Sequence, residues 1–222
     1  MKEYQVKIKS IKHVTHDVLQ IVTEKPGDLT FTPGQATEIS INKKDWTDRK
    51  QPFTFTSLPL DNFLQFTIKT YPSRQGVTNQ LLKLNAGDEL ILHDIFGAIS
   101  YKGEGLFIAG GAGVTPFISI FRYLKLKNEI RGNKLIFANK TSADIILSSE
   151  FEELLGKNFI NILSDEKTGE YAYGYISEEF LKANITDFGQ QFYVCGPPPM
   201  MDAVLKQLEN LGVAQKAITV EL

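Results

Sequence analysis

Three glycines within four residues, Gly110, Gly111 and Gly113, stand between the apolar run Leu106-Phe-Ile-Ala109 and the pair Thr115-Pro116. A strand that ends in such a turn and then begins a helix brings main-chain N–H groups and a helix N-terminus to one point. A diphosphate can be held there by hydrogen bonds and by the positive end of the helix dipole. Pro116 suits the first turn of that helix. The spacing is not GxGxxG, so an ordinary strand-to-helix turn is the alternative reading of this segment by itself.

Three further segments belong with it. Gln51-Pro-Phe-Thr-Phe-Thr-Ser57 reads as the end of a strand with two hydroxyl side chains. Tyr71-Pro-Ser-Arg-Gln-Gly-Val-Thr-Asn79 runs into a short helical piece and offers a second phosphate site at its start. Tyr193-Val-Cys-Gly-Pro-Pro-Pro-Met-Met201 is a strand leading into a glycine–proline turn and another helix. Cys195, at a strand end, reads as a small packing and positioning group rather than a nucleophile.

The elements that must position these segments fall into two rhythms. Up to about residue 100 the apolar residues recur at strand-like intervals, as in Tyr4–Lys9, Val18–Val22, Ala36–Ile41, Phe53–Thr56 and Leu64–Lys69. Pro26-Gly27, Pro33-Gly34, Pro59, Pro72-Ser73 and Gly87-Asp88 punctuate them, which predicts an antiparallel barrel or sandwich. One helix is expected over residues 78–84, with Thr78 as its N-cap. From Gly103 onward strands and helices alternate. Strands are expected at 106–109, 134–138, 159–163, 191–195 and 217–220, with helices at 115–126, 149–155, from Ser177, and from about Pro199 to Leu211. Such alternation predicts a parallel sheet covered by helices. The expected domains are 1–100 and 101–222.

Composition narrows the function. A chain of 222 residues with 42% hydrophobic and 23% charged residues is that of a globular protein of one or two domains. A net charge of −2 argues against nucleic acid as a partner. One cysteine cannot build a disulfide framework or a four-cysteine iron–sulfur cluster within this chain. His13, His16 and His93 are scattered and predict no metal site. No apolar signal core opens the sequence, and its longest uncharged run, Gly105 to Phe121, is interrupted by four glycines and a proline. A cytoplasmic protein without a membrane span is expected. The mixed-charge run Lys43-Lys-Asp-Trp-Thr-Asp-Arg-Lys50 reads as a solvated loop, with Trp46 as a possible docking feature.

In their order and spacing the four segments resemble the ferredoxin–NADP reductase family of flavoenzymes, along essentially the whole chain. The resemblance implies an N-terminal FAD-binding antiparallel barrel and a C-terminal nicotinamide-nucleotide domain. The family's Arg-x-Tyr/Phe-Ser/Thr motif would be Gln51-Pro52-Phe53-Thr54, with Phe53 along the flavin and the Thr54 hydroxyl near its reactive nitrogen. Ile68, Lys69 and Tyr71 would lie on the flavin side, and Gly76-Val77-Thr78 would hold the pyrophosphate. Gly110, Gly111, Thr115 and Pro116 would line the nucleotide site, with Cys195, Gly196, Pro197 and Pro198 beside the nicotinamide and Met200 opening the next helix. Thr54, Cys195 and Glu221 would be the catalytic group.

Two departures from the family pattern matter. Gln51 replaces the arginine that meets the flavin phosphates, and it brings neither charge nor a bidentate fork. FAD remains the expected flavin, with FMN or a loosely held flavin as alternatives. The chain ends Val220-Glu221-Leu222, without the stacking aromatic of plant-type members. After the strand at 159–163, Asp165 and Glu166 favour NADH over NADPH, while Lys167 points the other way. The implied activity is NAD(P)H-dependent: hydride to flavin, then single electrons to a separate carrier such as a ferredoxin, a flavodoxin or an oxygenase component. A free-flavin or ferric reductase and a non-catalytic flavin- or nucleotide-binding subunit are the alternatives. The oligomeric state is left open.

Overall fold

The structure is a computed structural model and describes residues 2–97 and 99–220. Two compact units emerge, each described here in turn: Met1–Ser100 with Thr115–Tyr123, and Tyr101–Val114 with Leu124–Leu222.

Unit 1 is an antiparallel barrel. Its strands are β1 (Tyr4–Thr15), β2 (Val18–Glu24), β3 (Ala36–Ile41), β4 (Gln51–Thr54), β5 (Phe63–Lys69) and β6 (Glu89–Phe96), in the spatial order β4-β3-β6-β1-β2-β5. The bridge between Phe55, just past β4, and Phe66 of β5 brings the two outer strands together. That removes exposed sheet edges, as barrels do. β1 is long enough to serve both of its neighbours. Tyr4–Lys7 pair with β6, the stretch from Ile8 to Thr15 pairs with β2, and the register shifts at Ile8/Ser10 and His13/Thr15 mark bulges.

Side-chain alternation puts Val6 and Ile8 inside while Gln5, Lys7 and Lys9 face out. Phe31 and Phe55 stack in the core at 4.2 Å between centroids, with Phe66 at 5.3 Å from Phe55. Among the described residues the one helix before residue 100, α1 (Val77–Leu81), differs from expectation. Gly76 occupies the cap position with extended backbone and no side-chain cap, and Thr78 lies inside the helix. Val77 and Leu81 are the buried residues of α1 and anchor its inner face, so the helix begins one residue before Thr78.

Unit 2 holds β7 (Gly105–Gly110), β8 (Lys134–Asn139), β9 (Phe159–Leu163), β10 (Ala172–Tyr173), β11 (Gln191–Cys195) and β12 (Ile218–Val220), in the order β10-β9-β8-β7-β11-β12. Every pairing is parallel. β7 is buried at all six positions, as expected of a central strand covered on both faces. Helices α3 (Ser148–Leu155), α4 (Glu178–Asn184) and α5 (Pro198–Asn210) connect the strands. Ser177 caps α4 as expected, its hydroxyl accepting from the Phe180 N–H at 3.1 Å.

Helix α2 (Thr115–Leu126) follows β7 through a 3-10 turn at Gly111–Val114. Residues 115–123 of this helix group with the barrel. Ser119 Oγ accepts from the Gly34 N–H at 3.0 Å, and Arg122 Nη1 donates to the Thr56 carbonyl at 2.7 Å. Among the described residues no helix is long and apolar enough to cross a membrane.

Candidate flavin and nucleotide sites

The flavin-side residues converge in unit 1 on the ends of β4 and β5. In β4, Gln51 and Pro52 are exposed, Phe53 is half-buried against the barrel core and Thr54 is buried. The antiparallel register sets Thr54 opposite Ala36 and Gln51 opposite Ile39. Thr115 Oγ1 donates to Thr54 Oγ1 at 3.4 Å, so a hydroxyl from each of two sequence-distant motifs meets inside one unit. Thr54 is therefore held by the first residue of α2, a contact the sequence alone does not reveal.

Ile68 and Val77 send their side chains into the core, so they can serve a ligand only through main chain. Lys69 Nζ sits 2.7 Å from Asp17 Oδ2. Burial pushes the Asp17 carboxyl up, but the Lys69 ammonium outweighs it and the net position is below the usual carboxylate range. Beyond β5, Arg74 lies over the exposed Tyr71 ring at 4.9 Å. Arg49 covers the Trp46 ring at 4.7 Å, and Trp46 is half-buried against the barrel core. Neither arginine stands at the Gln51 position.

These residues fit a flavin nucleotide. A Cβ built on Gly76 meets nothing within 4 Å, and α1 starts with no capping side chain competing for its N–H groups. Phosphate oxygens suit that combination. Half-buried Phe53 and exposed Tyr71 supply aromatic surface on the same unit.

The nucleotide side is built at the point where strand order reverses. β7 leads to β8 on one side and is flanked by β11 on the other, so the crevice past the carboxyl ends of β7 and β11 is a topological switch point. The register pairs Ala109 with Cys195 there. Gly110 and Gly113 are each required by close packing within the chain. A Cβ on Gly113 would lie 2.3 Å from the Cys195 carbonyl oxygen and 2.6 Å from Gly196 Cα, and one on Gly110 would strike Met200 Sδ at 2.4 Å and Pro197 Cδ at 3.0 Å. Gly113 lets the loops after β7 and β11 pack main chain to main chain, and Gly110 makes room for the Met200 and Pro197 side chains. Gly111 alone of the three opens on free space, with φ +50.

Thr115 and Pro116 are buried in α2, and Cys195 is buried at the end of β11. Gly196 and Met200 are half-buried, while Pro197, Pro198 and Asp165 are exposed. Glu221 lies outside the described residues.

Asn139 is a residue that the sequence reading does not single out. It closes β8 one register step past the Gly110–Ala138 pair, is buried, and neither atom of its amide has a hydrogen-bond partner. Its signal in the sequence is a polar residue ending the apolar run Leu135-Ile-Phe-Ala138. Its main-chain carbonyl accepts from the Ser164 N–H at 3.0 Å, and the Lys140 main-chain carbonyl accepts from the Asp165 N–H at 2.9 Å. The acidic pair past β9 is thus tied to the end of β8. Glu166 accepts from the Ser142 N–H at 2.6 Å, a hydrogen bond that lowers its carboxyl, while Asp165 accepts from its neighbour Ser164 Oγ at 2.6 Å. An orphaned buried amide and an exposed carboxylate at adjacent strand ends fit a nucleotide with ribose hydroxyls and a carboxamide.

Comparison with known proteins agrees with both halves. Residues 3–94 match the family model described as an FAD-binding domain, and residues 107–206 match that of the oxidoreductase NAD-binding domain. The chain is 28% identical over 229 residues to the reductase component of propane 2-monooxygenase from Mycolicibacterium smegmatis, covering 94% of this chain and 64% of that relative. It is 30% identical over 180 residues to NADH-cytochrome b5 reductase 1 of Aspergillus terreus, covering 72% of this chain and 60% of that one. The chain therefore spans just under two thirds of either relative. Among solved structures, the CS-b5R domains of human Ncb5or in the NAD+ form superpose with a TM-score of 0.87 at 25% identity, over 100% of this chain and 70% of that one.

Proposed function

The chain belongs to the ferredoxin–NADP reductase-like family of flavoprotein oxidoreductases, and from that premise we propose that it takes reducing equivalents from NADH and passes electrons to a separate protein of an oxygenase system. The observation that carries this reading is the presence of an FAD-binding and an NAD-binding domain on one chain whose single cysteine is buried. These 222 residues cannot make a four-cysteine cluster, so the one-electron acceptor is held elsewhere. The naming of the M. smegmatis relative as a monooxygenase reductase component supports the oxygenase partner.

Bound flavin supplies the chemistry of accepting two electrons and releasing them singly. The chain supplies placement. We assign the flavin to the barrel, residues 1–100, with Phe53 and Tyr71 as aromatic surface and the Gly76–Thr78 turn for the phosphates. Thr54, steadied by Thr115, presents a hydroxyl at the site. Residues 101–222 take the nucleotide, with Gly111 and the Asn139 amide toward it and Cys195 packing beside Gly113 to fix the loop. Asp165 accepts from a ribose hydroxyl and repels a 2′-phosphate, since Glu166 is already engaged by Ser142. Oriented binding of this kind does the work of bringing the reacting groups together.

The test is to load the purified chain with FAD, exclude oxygen and add NADH or NADPH while following the visible flavin bands. Rapid bleaching with NADH, slower bleaching with NADPH, and reoxidation on adding an oxygenase component are expected. Flavin bands that persist with both nucleotides would leave a binding module and sink the reductase reading.

A further inference from the structure

Just past Thr54 the chain of unit 1 changes partners. The register of β4 with β3 ends at the Ala36–Thr54 pair, and one more hydrogen bond runs from the Phe55 N–H to the Gln35 carbonyl at 3.0 Å. The next contacts are with β5, through the Phe55–Phe66 bridge and Thr56. Thr56 is fully buried, and each of its polar atoms is engaged. Its N–H donates to the Gln65 carbonyl at 2.8 Å, while its hydroxyl lies 3.2 Å from that of Thr67 and accepts from Gln65 Nε2 at 3.0 Å. Those bonds all run to β5. Its carbonyl instead accepts from Arg122 Nη1 of α2, at 2.7 Å.

A buried carbonyl without a donor is costly, and a guanidinium bonds to it more strongly than a neutral group does. Without Arg122 that carbonyl regains a partner only if the strand shifts or water enters, and either change moves residues 54–57. Thr115, Ser119 and Arg122 are spaced by four and then three residues, which sets them on one face of α2. The outer two of these reach the strand that carries Thr54. Thr115 meets the Thr54 hydroxyl at 3.4 Å, and Arg122 meets main chain two residues further on. Ser119 reaches elsewhere, to the Gly34 N–H at 3.0 Å. Thr54 is thus fixed twice from one helix face, once at its hydroxyl and once through its own strand.

We propose, resting on the assignment of the flavin to the barrel, that Arg122 is a positioning residue for Thr54. It acts through the Thr56 carbonyl and fixes the direction in which the strand presents the Thr54 hydroxyl to the flavin. Arg122 contributes no group to the reaction itself. Small displacements of an orienting group cost rate out of proportion to their cost in stability, and that separates this role from a plain tie between helix and barrel.

The experiment compares Arg122→Met, Arg122→Lys and Ser119→Ala in the full chain. Methionine keeps an apolar stem on a half-buried residue, so that variant should fold, and lysine keeps a cationic donor on a slightly shorter stem. Ser119→Ala cuts a tie between the same helix and barrel away from the Thr54 strand, so it measures a merely structural loss. Before FAD is added, amide hydrogen exchange at Thr56 and Gln65 should quicken about tenfold in Arg122→Met and keep the parent rate in Ser119→Ala. With FAD loaded, the visible flavin bands of Arg122→Met should shift. Their bleaching by saturating NADH should slow about tenfold at unchanged KM, because Thr54 is displaced and the nucleotide residues are not. Arg122→Lys should recover a large part of that loss, and Ser119→Ala should keep the parent bands and rate. Parent-like exchange at Thr56 in Arg122→Met, equal slowing in Ser119→Ala, a loss carried by KM, or a lysine variant no better than methionine would each overturn the proposal. A parent chain that binds FAD yet resists NADH would sink the reductase reading alone, since exchange and the flavin bands then decide the role of Arg122.

Discussion

The two units treat buried polar groups in opposite ways. In the barrel, Thr56 meets Thr67 and Gln65, Gln65 meets Ser57, His93 sits between Ser40 and Glu3, and Thr37 bonds to main chain. Among the described residues every buried side-chain polar atom without a partner lies in unit 2, on Asn139, Asn161, Gln207 and Thr219. Orphaned buried groups are expensive, and native proteins keep few of them. The contrast separates a unit that completes its own hydrogen bonding from one that leaves buried acceptors and donors unpaired. Asn139 stands at the end of β8, where the proposed function puts the nucleotide. A second contrast concerns glycine. On the flavin side Gly76 is open to a ligand, whereas Gly110 and Gly113 are consumed by the chain's own packing.

The sharpest way to break this comparison is at Gly113. A methyl there collides with main chain, the Cys195 carbonyl at 2.3 Å and Gly196 Cα at 2.6 Å, and main chain cannot swing aside as a side-chain tip can. Gly113→Ala should cost about 3 kcal/mol in unit 2. It should also slow NADH-dependent bleaching by roughly 100-fold, because the loops after β7 and β11 are displaced together. The barrel keeps its flavin, so the oxidised visible spectrum should stay normal. Loss of flavin from this variant would show that the two units do not divide the work in this way.

Asn139→Leu tests the orphaned amide with a change of similar volume. If the amide is held in reserve for the nucleotide, removing it relieves a desolvation cost and stabilises the free protein by about 1–2 kcal/mol. The KM for NADH should meanwhile rise about tenfold while the flavin spectrum holds. Stability and nucleotide affinity moving in opposite directions is the signature. Parallel losses in both would make Asn139 a structural residue.

Gln51→Arg probes the other unit. Gln51 is exposed on β4, with Arg49 occupied on Trp46 and Arg74 on Tyr71. An arginine at the motif position should tighten FAD about tenfold through charge-assisted bonds to its phosphates. Equilibrium dialysis of the flavin would read this directly. An unchanged dissociation constant would mean that the phosphates lie beyond the reach of residue 51.

The sequence is most transparent where local rules and burial agree. The parallel strands at 159–163 and 191–195 and the helix at 115–126 have the expected limits, because apolar runs bounded by turns leave little freedom. Ser177 caps its helix as its type suggests. β6 is not signalled by alternation, since Leu90, Ile91, Leu92 and His93 are buried in succession at the centre of the sheet. β10 is two residues long and carries no pattern at all. Within the sites, glycines advertise themselves but not their purpose. Whether Gly110 faces a phosphate or Met200 is a matter of long-range packing. Asn139 is invisible for the same reason, because an unpaired amide exists only once the strands around it are assembled.

The smallest effect expected is at Asp17, and it sharpens the contrast by leaving the nucleotide side untouched. Asp17 joins the turn between β1 and β2 to the end of β5. Its carboxylate meets Lys69 Nζ at 2.7 Å, and its carbonyl accepts from the Thr70 N–H at 2.7 Å. Because Lys69 outweighs burial and holds the folded carboxyl below its ordinary value, the ion pair stabilises the fold at pH above the usual carboxylate range. That contribution disappears as pH falls through the lowered value. The side chains are about a fifth to a quarter exposed, so solvent screening keeps the effect under about 1 kcal/mol. Asp17→Asn should therefore unfold at slightly lower urea than the parent at pH 7, and the two should converge in acid, once the pH is below the lowered value of the carboxyl. Trp46, packed on the barrel core, reports the transition by fluorescence. A difference that persists undiminished in acid would assign the role of Asp17 to the side-chain hydrogen bond it accepts from Thr15 rather than to its charge.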